Sequence, residues 1–394
     1  MNRDPIKRRY AILRTSGLSG IVNESVGGPS VRALELPEIK VNLDIDELSS
    51  FDARRVSQDE NVELLVPLMP MRLIKPVSRS AVDSSNETST WGISHIDAAH
   101  SELNGSGIKV AVLDTGIDES HETFKGVNLI TKDFTTEGIH DHNGHGTHCA
   151  GTIFGQDIDG TRIGIARNVE SGIIAKVLGQ GAGSTASIVS AILWAERQGA
   201  QIISMSLGID FPGYVKELVQ EYGYEEDRAT SIALDDYRGT LNFFESAVDL
   251  LSAKRKKMNP CLLVAASGNE SERPNYDISC APPAVSSGIL SVGAIDKNNK
   301  IADFSNTNPD ICAPGVDIIS ASTGGGLLSL SGTSMATPHV AGAAALIAQK
   351  LMREGRLNLD NLRGQLLANA SSTIFSNDFN TKDFGSGLVQ VPLV

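Results

Sequence analysis

Cysteine is scarce in this chain of 394 residues, which contains four. They are Cys149, Cys261, Cys280 and Cys312. No two of them lie at the short spacing that zinc sites use, so the sequence argues against a zinc site. A chain of this length buries a core large enough to fold without covalent cross-links. We therefore expect mostly buried thiols, with one disulfide as the alternative.

Positive charge is also in short supply. The chain has 34 Lys and Arg residues against 47 Asp and Glu residues, which gives a formal net charge of −13. This balance argues against nucleic acid and anionic membranes as partners. The chain lacks an apolar run long enough to span a bilayer, and its basic start, Met1–Thr15, lacks the apolar core of a secretory signal. These absences predict a cytoplasmic protein, with export by an unrecognised route as the alternative.

The first part of the chain, residues 1–77, predicts a small α+β domain. We expect a strand at Arg9–Arg14 and a helix within Leu43–Val62. The apolar segment Leu64–Leu73 is interrupted by prolines, which confines it to the edge of a sheet. Residues 78–90 are rich in Ser, Asn and Thr, so we expect an exposed linker that a protease would cut first.

From Trp91 onward, unalternated apolar runs are separated by segments with helical spacing. This pattern predicts an α/β domain over residues 91–394, with a mostly parallel central sheet and helices on both faces. The predicted strands are Lys109–Leu113, Gly172–Leu178, Gln201–Leu207, Cys261–Ala265 and Gly288–Ala294. In such sheets the chemistry lies at the carboxyl ends of the strands. Asp114 and Asn269 both follow a predicted strand end.

The stretch Leu330–Leu346 contains a serine in a position suited to nucleophilic attack. Ala and other small residues dominate from Met335 on, so Ser334 is predicted at a helix N-terminus, where backbone N–H groups lack partners. A hydroxyl there can attack a carbonyl, and the oxyanion that forms meets a waiting donor. A small-residue helix that simply packs tightly is the alternative for this stretch alone.

A base for this serine is present in His145, which lies between two glycines and opens a second predicted helix. Asp114 would hold the imidazole in one tautomer and stabilise its protonated form. The side-chain amide of Asn269, with the backbone N–H of Ser334, would bind the oxyanion. Ser334, His145, Asp114 and Asn269 together make a complete apparatus for acyl transfer.

The histidines allow two other interpretations. A lone histidine is more often structural than catalytic. A metal site could be suggested by a cluster of histidines, namely His140, His142, His145 and His148. The pair His145 and His148, however, lacks the acidic partner found on the helix of a zinc peptidase, which makes metal catalysis the weaker hypothesis.

Three motifs carry a resemblance to a known family. They are Asp114-Thr-Gly, His145-Gly-Thr-His-Cys-Ala-Gly and Gly332-Thr-Ser-Met-Ala-Thr-Pro-His. They resemble the signatures of the subtilisin-like serine peptidases, in that family's order of Asp, His and Ser. The resemblance extends from Trp91 to about Val391. It implies a hydrolase, a serine endopeptidase that cuts peptide bonds through a Ser-His-Asp triad and an acyl-enzyme.

The resemblance also implies how a substrate binds. Its backbone would lie between two strand edges, one formed by Gly181, Ala182 and Gly183 and the other by Ser206, Leu207 and Gly208. The pocket for the residue before the scissile bond would be lined by Ala266, Gly268 and Glu270, and the charge of Glu270 at its rim would favour a basic residue.

A zymogen is implied as well. Residues 1–77 resemble the family's propeptide, which assists folding and then inhibits the cleft as an intramolecular partner. Self-cleavage is expected between Pro76 and Trp91. The alternative is a latent peptide-binding protein whose N-terminal domain stays docked, although such a protein has no need of an intact triad. A lipase-type hydrolase would need its serine in a Gly-x-Ser-x-Gly turn, and Ser334 does not lie in such a motif.

The chain departs from the family pattern at an insertion and at Thr123. An insertion at residues 209–237 follows a strand that lines the cleft and carries many acidic residues. No cofactor is required, but the resemblance implies a structural calcium ion near Asp157 and Asp159. Thr123 stands where the family commonly has an Asp ligand, which speaks against that ion.

Overall fold

The computed structural model describes residues 8–16, 40–67, 69–81, 88–180, 183–254, 260–375 and 380–393. The chain divides into two compact units, Met1–Leu68 and Met69–Val394. None of the helices in the described ranges is both long enough and apolar enough to cross a membrane.

The first unit holds a three-stranded antiparallel sheet and one short helix. Its elements are β1 (Arg8–Ser16), β2 (Lys40–Leu48), α1 (Ser50–Val56) and β3 (Val62–Pro67). β1 is the central strand, with β2 and β3 on its two sides. The strand predicted at Arg9–Arg14 is confirmed. The segment Leu64–Leu73 was predicted at a sheet edge, which is right for β3 but wrong for Pro70–Leu73, because these residues form a strand between two others.

The helix predicted within Leu43–Val62 is wrong for most of its length. Residues up to Leu48 belong to a strand, and the helix covers Ser50–Val56 alone. Apolar Val41, Leu43 and Ile45 alternate with polar residues, which is the period of a strand rather than a helix. The helix begins where the side chain of Ser49 accepts a hydrogen bond from the backbone N–H of Asp52.

The second unit is a larger α/β structure. Its strands are β4 (Pro70–Leu73), β5 (Ser78–Ala81), β6 (Lys109–Asp114), β7 (Leu129–Asp133), β8 (Ser171–Lys176), β9 (Gly183–Ser184), β10 (Ile202–Met205), β11 (Leu207–Gly208), β12 (Leu262–Ala266), β13 (Ile289–Ile295), β14 (Ile311–Pro314), β15 (Ile318–Ala321) and β16 (Leu327–Ser331). Its helices are α2 (Trp91–His95), α3 (His145–Phe154), α4 (Thr185–Arg197), α5 (Phe211–Gln220), α6 (Glu226–Lys254), α7 (Thr333–Arg353), α8 (Leu359–Ala368) and α9 (Thr381–Phe384).

The central sheet has seven parallel strands in the order β14-β13-β12-β10-β6-β8-β7, with helices around it. The predicted α/β class and the five predicted strands are confirmed. The outer strands β7 and β14 were not predicted. β7 reads Leu-Ile-Thr-Lys-Asp and is half polar, while β14 is four residues long and ends at a proline, so neither gives the continuous apolar signal of a central strand.

Helix α7 packs along the central sheet and is buried over most of its length. Small residues also allow α7 to pack closely against the connection between α3 and β8. A Cβ atom on Gly342 would lie 2.7 Å from Cβ of Ile165 in that connection. The close packing fixes the N-terminal turn of α7, which contains Ser334, relative to the carboxyl ends of the parallel strands.

The segment that precedes the α/β core is extended and paired rather than a free linker. β4 is the middle strand of a small sheet, between β11 and β9, and β5 adds to the edge of the β15–β16 hairpin. The predicted linker at residues 78–90 is therefore wrong for Ser78–Ala81, because their backbone groups pair with Leu327–Ser331. Residues 82–87 lie outside the described part of the chain.

The predicted domain boundary at residue 77 also differs from the structure. Residues from Met69 onward belong to the second unit, because they pair with its strands. The predicted insertion, residues 209–237, contains α5 and the first part of α6, a helix of 29 residues.

Candidate active site

The carboxyl end of β6 and the start of α3 bring an acid and a base together. Asp114 ends β6 and His145 begins α3, and both side chains are buried. Nδ1 of His145 lies 2.8 Å from Oδ1 of Asp114. The approach depends on Gly146, since a Cβ atom there would lie 2.3 Å from the backbone oxygen of Gly116. The predicted pairing of Asp114 with His145 is thus present in the structure.

A buried carboxylate that the sequence analysis missed holds this corner in place. Asp141 accepts hydrogen bonds from the hydroxyl of Thr115 and from the backbone N–H groups of Gly144 and Thr147. These bonds satisfy donors at the N-terminus of α3 and tie it to the end of β6. The only signal in the sequence is that Asp141 lies shortly before His145, which begins a helix between Gly144 and Gly146.

The histidines of the core have different electrostatic environments. Burial lowers the pKa of His145, but the charge of Asp114 and the hydrogen bonds outweigh it, so this pKa stands well above its ordinary value of 6.5. Burial lowers the pKa of His148 to about 3 and that of His339 to about 4. Nε2 of His148 lies 2.9 Å from the backbone oxygen of Ile318, so His148 has a structural role.

Ser334 is the second residue of α7 and is fully buried. Pro338 lies inside α7 and has no N–H for the carbonyl of Ser334. The hydroxyl of Ser206 donates to that carbonyl instead, at 2.9 Å, and the thiol of Cys149 lies 3.5 Å from it. Ser206 therefore fixes the turn that carries Ser334, a role that the sequence did not indicate.

Asn269 follows β12 and points its amide into the cleft. Its Oδ1 accepts hydrogen bonds from the backbone N–H and the hydroxyl of Thr333, each at 2.9 Å. This fixes the orientation of the amide, so that Nδ2 faces the cleft and donates to the backbone oxygen of Lys75 at 3.0 Å. Thr333 is a second positioning residue that the sequence analysis missed.

An extended part of the chain itself crosses the cleft. The hydroxyl of Ser334 donates to the backbone oxygen of Ile74 at 3.0 Å, and the next carbonyl, that of Lys75, accepts from Asn269. The backbone N–H of Val77 then donates to the oxygen of Ser331 at 2.8 Å. Within the described residues, Nε2 of His145 has no hydrogen-bond partner. The serine hydroxyl is thus bonded to the peptide rather than to the imidazole.

The strand edges that were predicted to hold a substrate flank this segment. Leu73 pairs with Leu207 and Arg72 with Gly208 on one side, and Met71 pairs with Gly183 on the other. The two remaining residues predicted for the second edge, Gly181 and Ala182, lie outside the described residues.

The predicted pocket residues line the same cleft, which has a volume of about 740 Å³ and includes Ala266, Gly268 and Glu270. Nδ2 of Asn306 donates to Oε2 of Glu270 at 2.7 Å. Burial raises the pKa of Glu270, although this hydrogen bond opposes the shift. The carboxylate is therefore fixed beside the cleft and partly removed from water.

All four cysteines are buried thiols that form no disulfide. Cys149 lies next to the acid–base pair, with its sulfur 3.8 Å from Nδ1 of His145. Burial raises the pKa of the Cys149 thiol, which keeps it protonated and a poor nucleophile. Asp114, His145 and Cys149 form the one group of three metal-ligating side chains found in the described ranges, and that group is fully buried.

The residues proposed for calcium do not fit a calcium site. Nη1 of Arg167 lies 2.9 Å from both carboxylate oxygens of Asp157, so a guanidinium already neutralises this acid. The hydroxyl of Thr123 donates to the backbone oxygen of Gln156 at 2.7 Å, which uses an oxygen that a cation would need. Asp159 does not join these residues in a metal-ligating group. A calcium ion would therefore have to displace Arg167 from Asp157.

We therefore expect the melting temperature of the protein to be insensitive to calcium. A cation stabilises a fold only if it binds the folded state, and the oxygen ligands here are engaged by the protein. Thermal unfolding in EDTA and in excess calcium chloride should differ by less than about 1 °C, with sodium chloride at matched ionic strength as the control. A rise of several degrees with calcium alone would show that an ion is held.

The comparisons with known proteins agree with this geometry. The model of the subtilase family matches residues 105–387. Subtilisin Savinase of Lederbergia lenta is 37% identical over 308 residues, which cover 76% of this chain and 96% of the relative. The major intracellular serine protease of Bacillus subtilis is 33% identical over 329 residues, which cover 78% of this chain and 92% of the relative. A thermostable alkaline protease of Halalkalibacterium halodurans is 34% identical over 313 residues, which cover 77% of this chain and 72% of the relative.

These matches agree with the parallel sheet, the three sequence motifs and the buried Asp–His pair. The chain therefore belongs to the subtilase family and is a serine endopeptidase, a hydrolase that acts on peptide bonds in proteins.

Proposed function

We propose that Ser334, His145, Asp114 and Asn269 are the catalytic residues of this endopeptidase. The observation that carries the proposal is the contact with a peptide backbone: Oγ of Ser334 and Nδ2 of Asn269 each lie 3.0 Å from a main-chain carbonyl oxygen of an extended segment. A nucleophile and an amide donor that meet consecutive backbone carbonyls are suited to peptide-bond chemistry.

The proposed reaction begins with attack by Ser334 on the carbonyl carbon of the scissile bond. Because Nδ1–H of His145 donates to Asp114, Nε2 is left as the proton acceptor for the serine hydroxyl. The negative charge that develops on the carbonyl oxygen is bound by Nδ2 of Asn269 and by the backbone N–H of Ser334. His145 then passes its proton to the leaving amine, and water repeats the sequence to hydrolyse the acyl-enzyme.

A substrate would take the place of the segment that now crosses the cleft. Its backbone would pair with Leu207–Gly208 on one side and with Gly183–Ser184 on the other, as Pro70–Leu73 does. Such pairing reads the backbone and leaves selectivity to the pockets between the strands. Glu270, held beside the cleft by Asn306, would favour a basic residue before the scissile bond.

We further propose that the chain is made as a zymogen. Hydrolysis needs the serine hydroxyl and the oxyanion donor to meet the same carbonyl, whereas here Ser334 contacts that of Ile74 and Asn269 that of Lys75. The serine hydroxyl also donates to Ile74 rather than to His145. The carbonyls of Ile74 and Lys75 therefore lie in an inhibitory arrangement in the cleft. Self-cleavage between Pro76 and Trp91 requires the chain to leave this arrangement first.

The same contacts favour one alternative, a latent peptide-binding protein in which the segment never leaves.

Two relatives bear on where the enzyme acts, because their names describe intracellular serine proteases, one from Paenibacillus polymyxa and one from Bacillus subtilis. These names support the predicted cytoplasmic location.

Intact-mass spectrometry with a fluorophosphonate probe tests the proposed function. The purified wild-type chain should divide into two fragments over time and then take up one probe, which peptide mapping should find on Ser334. Heat-denatured protein is the control and should take up none, since an isolated serine hydroxyl is a weak nucleophile. A chain that stays whole and unlabelled would favour the latent binding protein, and an adduct on another residue would contradict the assignment of Ser334.

A further inference from the structure

We propose that the insertion gives the cleft an acidic subsite, formed by Asp210 and Glu217, which selects substrates with Arg or Lys two residues before the acylated residue. The proposal rests on the proposed function, since it concerns substrates that replace the segment now in the cleft. It gives the insertion a role in substrate specificity. The proposed function alone does not explain why the insertion is there.

The chain's own segment marks the subsite. Its Arg72 is opposite Gly208 in the β4–β11 pairing and lies two residues before Ile74, whose carbonyl contacts Ser334. Nη2 of Arg72 lies 3.1 Å from Oε2 of Glu217, and Nη1 lies 3.6 Å from Oδ2 of Asp210. A guanidinium that enters the cleft at this position thus meets two carboxylates at once.

The two carboxylates are presented by one helix at matching positions. Asp210 is the N-cap of α5, and its Oδ1 accepts from the backbone N–H of Gly213 at 2.8 Å, which leaves Oδ2 to face Arg72. Glu217 lies about two turns further along and so shares the same face of the helix. Capping fixes one acid, and helical geometry places the other beside it.

Helix α5 is firmly attached, so these acids do not move freely. Its Tyr214 and Leu218 are buried. The hydroxyl of Tyr214 donates to Oδ2 of the buried Asp236 at 2.7 Å, which joins α5 to α6. A rigid support holds a binding group in position and improves its selectivity.

Departure of the segment would leave Asp210 and Glu217 without the guanidinium that now lies between them. Nearby Glu270 adds a further acid to the cleft, and the charge of Asp210 contributes to its raised pKa after the larger effect of burial. Two neighbouring acids repel each other, and a substrate cation relieves that repulsion. The subsite therefore favours Arg and Lys and disfavours Glu.

The expected selectivity is moderate, because the three side chains are partly exposed: Arg72 by 43%, Asp210 by 39% and Glu217 by 25%. Each exposed ion pair contributes a factor of about two to five in binding, so two acids give roughly a tenfold preference. Raising the salt concentration should reduce it.

A set of internally quenched peptides that differ only at this position tests the proposal. With the enzyme after self-processing, kcat/KM for the Arg peptide should exceed that for the Gln peptide about tenfold, and the Glu peptide should be poorest. In the double variant Asp210→Asn, Glu217→Gln this ratio should fall to about 1. Asn preserves the helix cap, and taking the ratio within one enzyme removes any change in its overall activity.

The matched control is Glu221→Gln, Glu225→Gln, which removes the same charge from exposed positions of the same insertion. It should keep the preference for Arg. Equal rates for Arg and Gln in the wild type, retention of the preference in the first double variant, or its loss in the control would each overturn the subsite. Failure to cut any peptide or to bind the fluorophosphonate would instead overturn the proposed function.

Discussion

A chain that carries Ser334→Ala is expected to remain in one piece of 41.8 kDa and, once it has been opened by wild-type enzyme fixed to beads, to show about 10⁶-fold less activity on peptides than the wild type. The size of this loss was measured for the equivalent serine in a member of the same family, so it is an expectation by homology. The physical reason is that alanine has no atom to form the acyl-enzyme. Water would have to attack the carbonyl directly, with help only from the oxyanion donors and from substrate binding.

The fold should tolerate this change. Ser334 lies in the first turn of α7, and alanine is a good helix former. Strand β4 pairs through backbone groups with β11 and β9, so loss of one hydroxyl should leave the segment in the cleft. Intact mass and peptide hydrolysis over time measure the activity, and the melting temperature reports on folding.

Thr337→Ala is a suitable control for the serine variant. It removes a buried hydroxyl from the same helix, one that donates to the backbone oxygen of Thr333. This variant should still divide and should hydrolyse peptides at a rate of the same order as the wild type. If the Ser334→Ala chain also divides, another nucleophile must be responsible, and the proposed mechanism is wrong.

The parts of the site that could be predicted from sequence are those with a local signal. Asp114 ends an apolar strand, His145 lies between glycines, and Ser334 precedes a run of small residues. Each pattern is visible within a few residues, and the parallel sheet brings their chain segments to the same edge. The family resemblance then assigned each a role.

The supporting residues could not be predicted, because their partners lie far away in the chain. Thr333 donates to the side-chain amide of Asn269. Ser206 donates to the backbone oxygen of Ser334, to which Pro338 cannot donate. Arg72 and Glu217 are separated by 145 positions. No short motif records such pairs, since they form only when the tertiary structure exists.

The errors near the start of the chain have a related cause. A Ser-rich stretch predicts a linker, but Ser78–Ala81 pair with β16 through backbone groups that every residue type except proline provides. Composition therefore could not reveal the pairing. The helix predicted within Leu43–Val62 is wrong for a different reason. The alternation of Val41, Leu43 and Ile45 with polar residues is visible in the sequence, and it indicates a strand more strongly than polar content indicates a helix.

Asp114→Asn is expected to lower kcat/KM by about 10⁴-fold while leaving the fold intact. Oδ1 of Asp114 accepts from Nδ1–H of His145, so Nε2 stays unprotonated and faces the serine. An asparagine can present its NH₂ group to Nδ1, which favours the tautomer with the proton on Nε2. That imidazole cannot accept the proton of Ser334. Variant chains can be opened by wild-type enzyme fixed to beads, which is then removed before peptide hydrolysis is measured.

The pH profile separates this mechanism from simple damage to the fold. His145 acts as a base only when neutral, so activity rises as the pH increases through its pKa. Burial lowers this pKa, but the charge of Asp114 and the hydrogen bonds together outweigh burial, so the pKa stands well above 6.5. Asparagine removes that charge, so the pKa of His145 should fall and the acid limb of kcat/KM should move to lower pH. Asp118→Asn alters a buried acid that bonds to Ser120 and Gly324, and it should keep the wild-type profile. An Asp114→Asn profile that is lower but unshifted would contradict the assigned role of Asp114, because a loss of folded protein scales the rate without moving the pKa of the base.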